Sequence, residues 1–134
     1  MSDMEPFPDI EQVLVTLFAD IAPTVTEAPE GFTPPMVRVS RTGGSDDGLT
    51  DSPIVETTCY GATRAESWAL DGLVRQRVLA CAATVVDTVL IDTASTVTPA
   101  QQLSDPRLDI RAVSSSYRFG LRRRSPYMED SSHG

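Results

Sequence analysis

The sequence predicts an α+β domain: a four-stranded, mainly antiparallel sheet with two helices packed on one face, in the order αββαββ. Three observations predict it. Two segments carry apolar residues at helical spacing, each behind a helix-start signal. Four others are rich in β-branched residues or alternate apolar with polar. Those four come in consecutive pairs, which favours antiparallel neighbours over a parallel sheet laced with helices.

The first helix is expected from about Pro8 to Ala22. Pro8 suits a first helical position, and Asp9 and Glu11 fall in the first turn, where the helix dipole favours anions. Ile10, Val13, Leu14, Leu17, Phe18 and Ile21 form one apolar stripe, and Pro23 ends it. Thr24 to Pro35, with three prolines and a glycine, reads as an extended connector. Met36 to Arg41 is a strand with Val37 and Val39 on one face and Arg38 and Ser40 on the other. Gly43-Gly44-Ser45-Asp46-Asp47-Gly48 reads as loop by composition. A second strand, Ile54 to Tyr60, is expected to pair with the first through this long loop, and loops above the usual two to five residues tend to be functional or mobile.

Thr63-Arg64-Ala65-Glu66 is a capping box, with Thr63 as N-cap, opening a helix to about Val85. Ala65, Ala69, Gly72, Leu73, Gln76, Leu79 and Ala83 follow one face, while Trp68, Leu70, Val74, Val78 and Cys81 carry apolar character well around it. Such a helix is expected to be covered twice, by its own sheet and by a neighbour. Val85 to Thr98 reads as a strand and Pro99 to Pro106 as a turn. The last strand alternates most cleanly, with Val113, Tyr117, Phe119 and Leu121 on one face, and Arg122-Arg123-Arg124 closes it. Residues 1–124 are thus expected to form one domain, and 125–134 a disordered tail.

Composition narrows the function. Nineteen acidic residues face eleven basic ones, all arginine, for a net charge of -8, which argues against broad nonspecific nucleic-acid binding. The charge is uneven: residues 1–61 hold eleven acids and two arginines, residues 62–134 eight acids and nine arginines. No apolar run approaches the roughly 20 residues that cross a bilayer, and the acidic start is unlike a secretory signal, so a protein that stays where it is made, with no membrane partner, is expected. Cys59 and Cys81 lack metal-ligand companions and read as buried reduced thiols.

Chemistry finds little support. The one histidine, His133, stands next to the last residue, so Ser-His and Cys-His nucleophile arrangements are excluded from the folded part. Asp46, Asp47 and Asp51 could in principle do acid/base work or attract a cation, but they read as solvated turn residues, and the distal Glu of a calcium loop is missing. Gly43-Gly44-Ser45 lacks the lysine and the helix of a phosphate loop. Arg122-Arg123-Arg124 suits an acidic partner surface at least as well as phosphate. No catalytic residue, cofactor or metal is expected.

Arg38-Val39, then Gly43-Gly44-Ser45-Asp46-Asp47 with Thr50-Asp51 behind it, then Tyr60-Gly61-Ala62-Thr63-Arg64-Ala65-Glu66-Ser67-Trp68, resemble the central block of tail terminator proteins of long-tailed (siphovirus-type) actinobacterial phages. Asp105-Pro106-Arg107 and the strand holding Tyr117-Arg118-Phe119 resemble that family's closing segment. The resemblance runs from about Pro8 to Arg124. It implies a virion structural protein, assembled in the host cytoplasm and sited in the tail at the head-tail junction. There it forms a homohexameric ring that caps the head-proximal end of the tail tube, stops polymerisation and offers the surface joined to the head. Its implied partners are itself, the tail tube protein and a head-tail connector, with DNA passing through the lumen without specific binding. A head-tail connector or adaptor ring, or a non-viral cytosolic protein-binding adaptor, are the rival readings. A closed ring needs two unlike patches. The uneven charge suggests a subunit interface in which Arg122, Arg123 and Arg124 face Asp46, Asp47 or Asp51 of the adjacent copy, with surplus acid lining the channel.

Overall fold

The computed structural model describes residues 9–46, 50–103 and 111–122. In chain order its elements are α1 (Ile10–Phe18), β1 (Thr24–Val25), β2 (Met36–Asp46), β3 (Thr50–Gly61), α2 (Arg64–Ala80), β4 (Thr84–Val86), β5 (Val89–Leu103) and β6 (Arg111–Arg122). The strands form one six-stranded sheet in the order β1-β2-β3-β6-β5-β4. β1 runs parallel to β2 and the other neighbours are antiparallel. The expected four-stranded sheet in the order αββαββ is therefore corrected to a six-stranded mixed sheet with two helices.

Each extra strand has a local cause. β1 is two residues long, too short for any alternation to register, and lies inside the proline-rich connector. The single strand expected from Val85 to Thr98 is cut by a two-residue turn, Asp87-Thr88, with φ of +50° and +64°. Two consecutive positive φ values are the geometry that folds a tight hairpin, so β4 doubles back onto β5. Neither residue is glycine, and the usual sequence signal of that turn is missing. The expected turn at Pro99–Pro106 is also corrected as far as it is described, because β5 runs on through Pro99 to Leu103. Proline cannot donate to a ladder. The β5–β6 register steps from Thr98 to Gln101 and leaves Pro99 and Ala100 outside the pairing.

β2 and β3 are longer than their apolar patterns. They pair from Met36↔Tyr60 to Asp46↔Asp51, so the loop expected from Gly43 to Gly48 is strand as far as Asp46. A register shift between Arg41 and Gly43 absorbs the change of pattern. Gly44 has φ of +117°, and a Cβ there would meet the Ser52 carbonyl oxygen at 2.3 Å, so only glycine fits this close approach.

α2 starts at its expected cap, Thr63, whereas Asp9, expected inside the first turn of α1, is its N-cap, and both helices stop earlier than expected. Asp9 accepts from the Glu11 N–H at 3.0 Å and Thr63 from the Glu66 N–H at 3.1 Å, each satisfying a first-turn donor. Ile10, Val13, Leu14 and Phe18 of α1 are buried, as are Leu70, Val74 and Val78 of α2. They meet Val37 and Val39 of β2, Val55 and Cys59 of β3, Ile91 of β5, and Tyr117, Phe119 and Leu121 of β6 in one core. α1 touches β1 and β2 near one edge of the sheet and β4 at the other, so the sheet curls around the helical layer. Arg77 ties the helices together: its guanidinium donates to the Leu17 carbonyl at 2.8 Å and to both carboxylate oxygens of Asp20. That contact holds the Asp20 carboxyl below its ordinary pKa. Both cysteines are free and buried.

Candidate subunit interface

Register places three of the sequence-predicted interface residues at one end of the sheet. Asp46 stands opposite Asp51 across β2 and β3, and Arg122 stands opposite Thr50 across β3 and β6. Asp47, Arg123 and Arg124 lie outside the described residues. Alternation then sends the side chains different ways. Asp51 is on the helix-facing side and only 2% exposed. Its two oxygens accept from the two terminal nitrogens of Arg41, each at 2.9 Å, a bidentate pair. The Arg41 backbone N–H donates to Glu11 of α1 at 2.9 Å, so the same residue joins sheet end to helix start. Arg122 is on the opposite face, where its Nε donates to Asp92 at 2.7 Å. Asp46 is exposed and lines a shallow open depression of about 290 Å³ with Ser45, Thr50 and Ser52. Within one subunit, Asp51 and Arg122 thus already hold a partner each.

A second surface lies on α2. The row that meets the sheet is Ser67, Leu70, Asp71, Val74 and Val78. Ala65, Ala69, Leu73 and Gln76 are turned to solvent, with Leu73 53% and Leu79 42% exposed. The helix is apolar on both sides as its sequence indicates, and one side has no cover among the described residues.

Beside that exposed face, Trp68, Asp71, Gly72 and Arg75 of α2 and Pro99 and Ala100 of β5 line a half-open pocket of about 390 Å³. The Trp68 indole N–H donates to the Gln102 side chain at 2.6 Å, and Arg64 lies over its ring at 5.8 Å, so the aromatic wall is held from two sides. Asp71, at the inner end, is 3% exposed and accepts from the Ser115 hydroxyl at 2.8 Å. Burial raises its carboxyl above the ordinary range, opposed by the Ser115 hydrogen bond and the charge of Arg75. Neither Asp71 nor the pocket figured among the expected sites. The signal was present: Asp71 shares the 67/71/74/78 row with Val74 and Val78, a carboxylate where the periodicity demands an apolar residue.

Among the described residues no group of three or more His, Cys, Asp or Glu side chains is arranged to hold a metal ion. No described helix is long and apolar enough to cross a membrane.

No curated protein matches the chain. Among solved structures, a chain from the virion of a native gene transfer agent particle is similar at 15% identity, with a TM-score of 0.49, covering 82% of this chain and 84% of that one. A family model described as phage tail termination protein matches residues 6–126, nearly the whole chain. The chain belongs to the phage tail termination protein family, and is a structural protein of the phage tail.

Proposed function

We propose that copies of this protein, six in number, form a ring that caps the head-proximal end of the tail tube, ends its polymerisation and presents the surface joined to the head. The observation that carries the reading is the family match over residues 6–126. Two unlike surfaces on one subunit support it: the charged end of the sheet, and the uncovered apolar side of α2. A heterologous contact between dissimilar patches generates a ring when its rotation closes. The proposed partners are the tail tube protein on one side and a head-tail connector on the other, with DNA passing through the lumen unbound.

In this reading Asp46, Asp47 and Asp51 of one copy face Arg122, Arg123 and Arg124 of the next. Asp51 and Arg122 enter that contact already paired to Arg41 and Asp92, so the neighbour adds to a formed network.

The test is tube assembly in vitro. Tail tube protein polymerised with increasing amounts of this chain should give shorter tubes, each carrying a ring at one end in electron micrographs. Tubes of unchanged length with no terminal density would refute the proposal. Replacing Arg122, Arg123 and Arg124 by Glu should prevent closure of the ring, and unchanged ring size would refute the charged contact alone.

A further inference from the structure

Two of the described aspartates are almost fully buried, and their environments differ in one respect. Asp51 is met by a guanidinium from its own chain, Arg41. Asp71 makes no ion pair with any described residue; the Ser115 hydroxyl satisfies its Oδ1, and no hydrogen bond reaches its Oδ2. That oxygen is not among the fully buried, unpartnered side-chain atoms, and Asp71 lines the pocket between α2 and β5. Arg75 lines the same pocket and its charge acts on Asp71 without forming an ion pair with it, and a buried carboxylate with no paired cation is costly. Here the place for the partner is present and its wall chemistry is specific. Trp68 offers a flat aromatic face, fixed by Gln102 and Arg64. Pro99 and Ala100, left outside the β5–β6 ladder, line the same pocket. A planar cation that stacks on an aromatic face and bonds a carboxylate is a guanidinium.

We infer that this pocket receives an arginine side chain from a second copy of the chain, which pairs with Asp71 and stacks on Trp68. The inference rests on the ring proposed above and names a point of contact within it. Every cation-bearing side chain of this protein other than its one histidine is an arginine. Arg118 is exposed on the sheet face away from the helices and forms no ion pair with a described residue, so it is available to a neighbour and remote from its own Asp71. The pocket adjoins the uncovered side of α2 through Gly72 and Leu73. The arrangement is that of an interface anchor: a charged pocket surrounded by apolar surface that excludes water on docking. The rival occupant is Arg75, one helical turn along α2, folding inward over Asp71.

Trp68 is the only tryptophan and lines the pocket, so its indole N–H gives one reporter signal there. The full chain would be titrated with N-acetylarginine methylamide and followed by that resonance, with N-acetylcitrulline methylamide as the uncharged match. The expected result is a saturable shift with the arginine compound, at least ten-fold weaker with citrulline, lost in Asp71→Asn and kept in Arg75→Ala. No saturable shift, an equal shift in Asp71→Asn, or a shift seen only once Arg75 is removed would overturn the pocket's assignment. Ring assembly supplies the second arm. Asp71→Asn should raise the concentration needed for assembly by ten-fold or more, and Arg118→Ala should do likewise without further loss in the double variant. Rings unaffected by Asp71→Asn, in a chain that still binds the arginine compound, would show that the second copy is not the source. A wild-type chain that forms no ring sinks the ring and this source together, while the titration still decides the chemistry of the pocket.

Discussion

Removing Arg41 is expected to destabilise the subunit itself, and the size of the loss follows from how unequally the pair is buried. Asp51 presents 3% of its side chain to solvent and Arg41 presents 39%. Breaking an ion pair buried on both sides costs roughly 3–5 kcal/mol because a charge is stranded, whereas exposed pairs contribute about 0–1 kcal/mol. Water can reach Asp51 from the Arg41 side once the guanidinium is gone, so Arg41→Met should cost about 2 kcal/mol. Asp51→Asn keeps volume and an acceptor and should cost about 1 kcal/mol. The double variant should recover part of the loss, because no carboxylate is then left buried alone. Urea unfolding of the four proteins, followed by Trp68 fluorescence at concentrations where the midpoint is concentration-independent, measures each value. An Arg41→Met loss under about 0.5 kcal/mol, or two single losses that simply add, would refute the reasoning. The cycle also separates two roles of Asp51, since a residue acting only between subunits leaves the stability of the isolated subunit unchanged.

Other outcomes are accessible to the same methods. Phe119→Ala empties the centre of the core and should cost about 3–5 kcal/mol in urea unfolding, while Ser116→Ala on the opposite face of the same strand should stay within about 0.5 kcal/mol. The carboxyl of Asp71 is raised by burial, so the folded state holds its proton to higher pH than the unfolded chain does. Its penalty is absent in acid and develops as pH rises from the ordinary aspartate value through the folded one; Asp71→Asn should therefore stabilise the subunit at pH 7 and lose that advantage towards pH 4, and an advantage independent of pH would count against the burial. Cys59 and Cys81 are both buried, with the Cys81 thiol pushed up to about 11, so neither should react with a thiol reagent at pH 8 until the protein is unfolded.

The parts legible in the sequence were those whose signal is local. The cap at Thr63, the stripe of α1, and the alternation of Val113, Tyr117, Phe119 and Leu121 each depend on residues within a turn or two, and each appears in the element its pattern indicated. The parts that were not legible depend on backbone geometry that the side chains do not announce. Asp87 and Thr88 make a tight hairpin without glycine, β1 is too short to have a period, and Pro99 continues a strand because the ladder can skip it.

For the candidate site the division is similar. Charge asymmetry and the glycine-aspartate segment could be read directly from the residues, as could two apolar sides of α2. Which side of α2 meets the sheet could not, because both rows satisfy helical spacing, and only packing against β3 and β6 selects Leu70, Val74 and Val78. Composition alone determined a strong acidic surplus, carried mostly by the first half of the chain, and a single histidine. Tertiary structure decided that Asp51 spends its charge on Arg41 and Arg122 on Asp92, and that Asp71 is left beside an open pocket. Pairing of charges is settled by distance in space, and neighbours across a sheet are far apart along the chain.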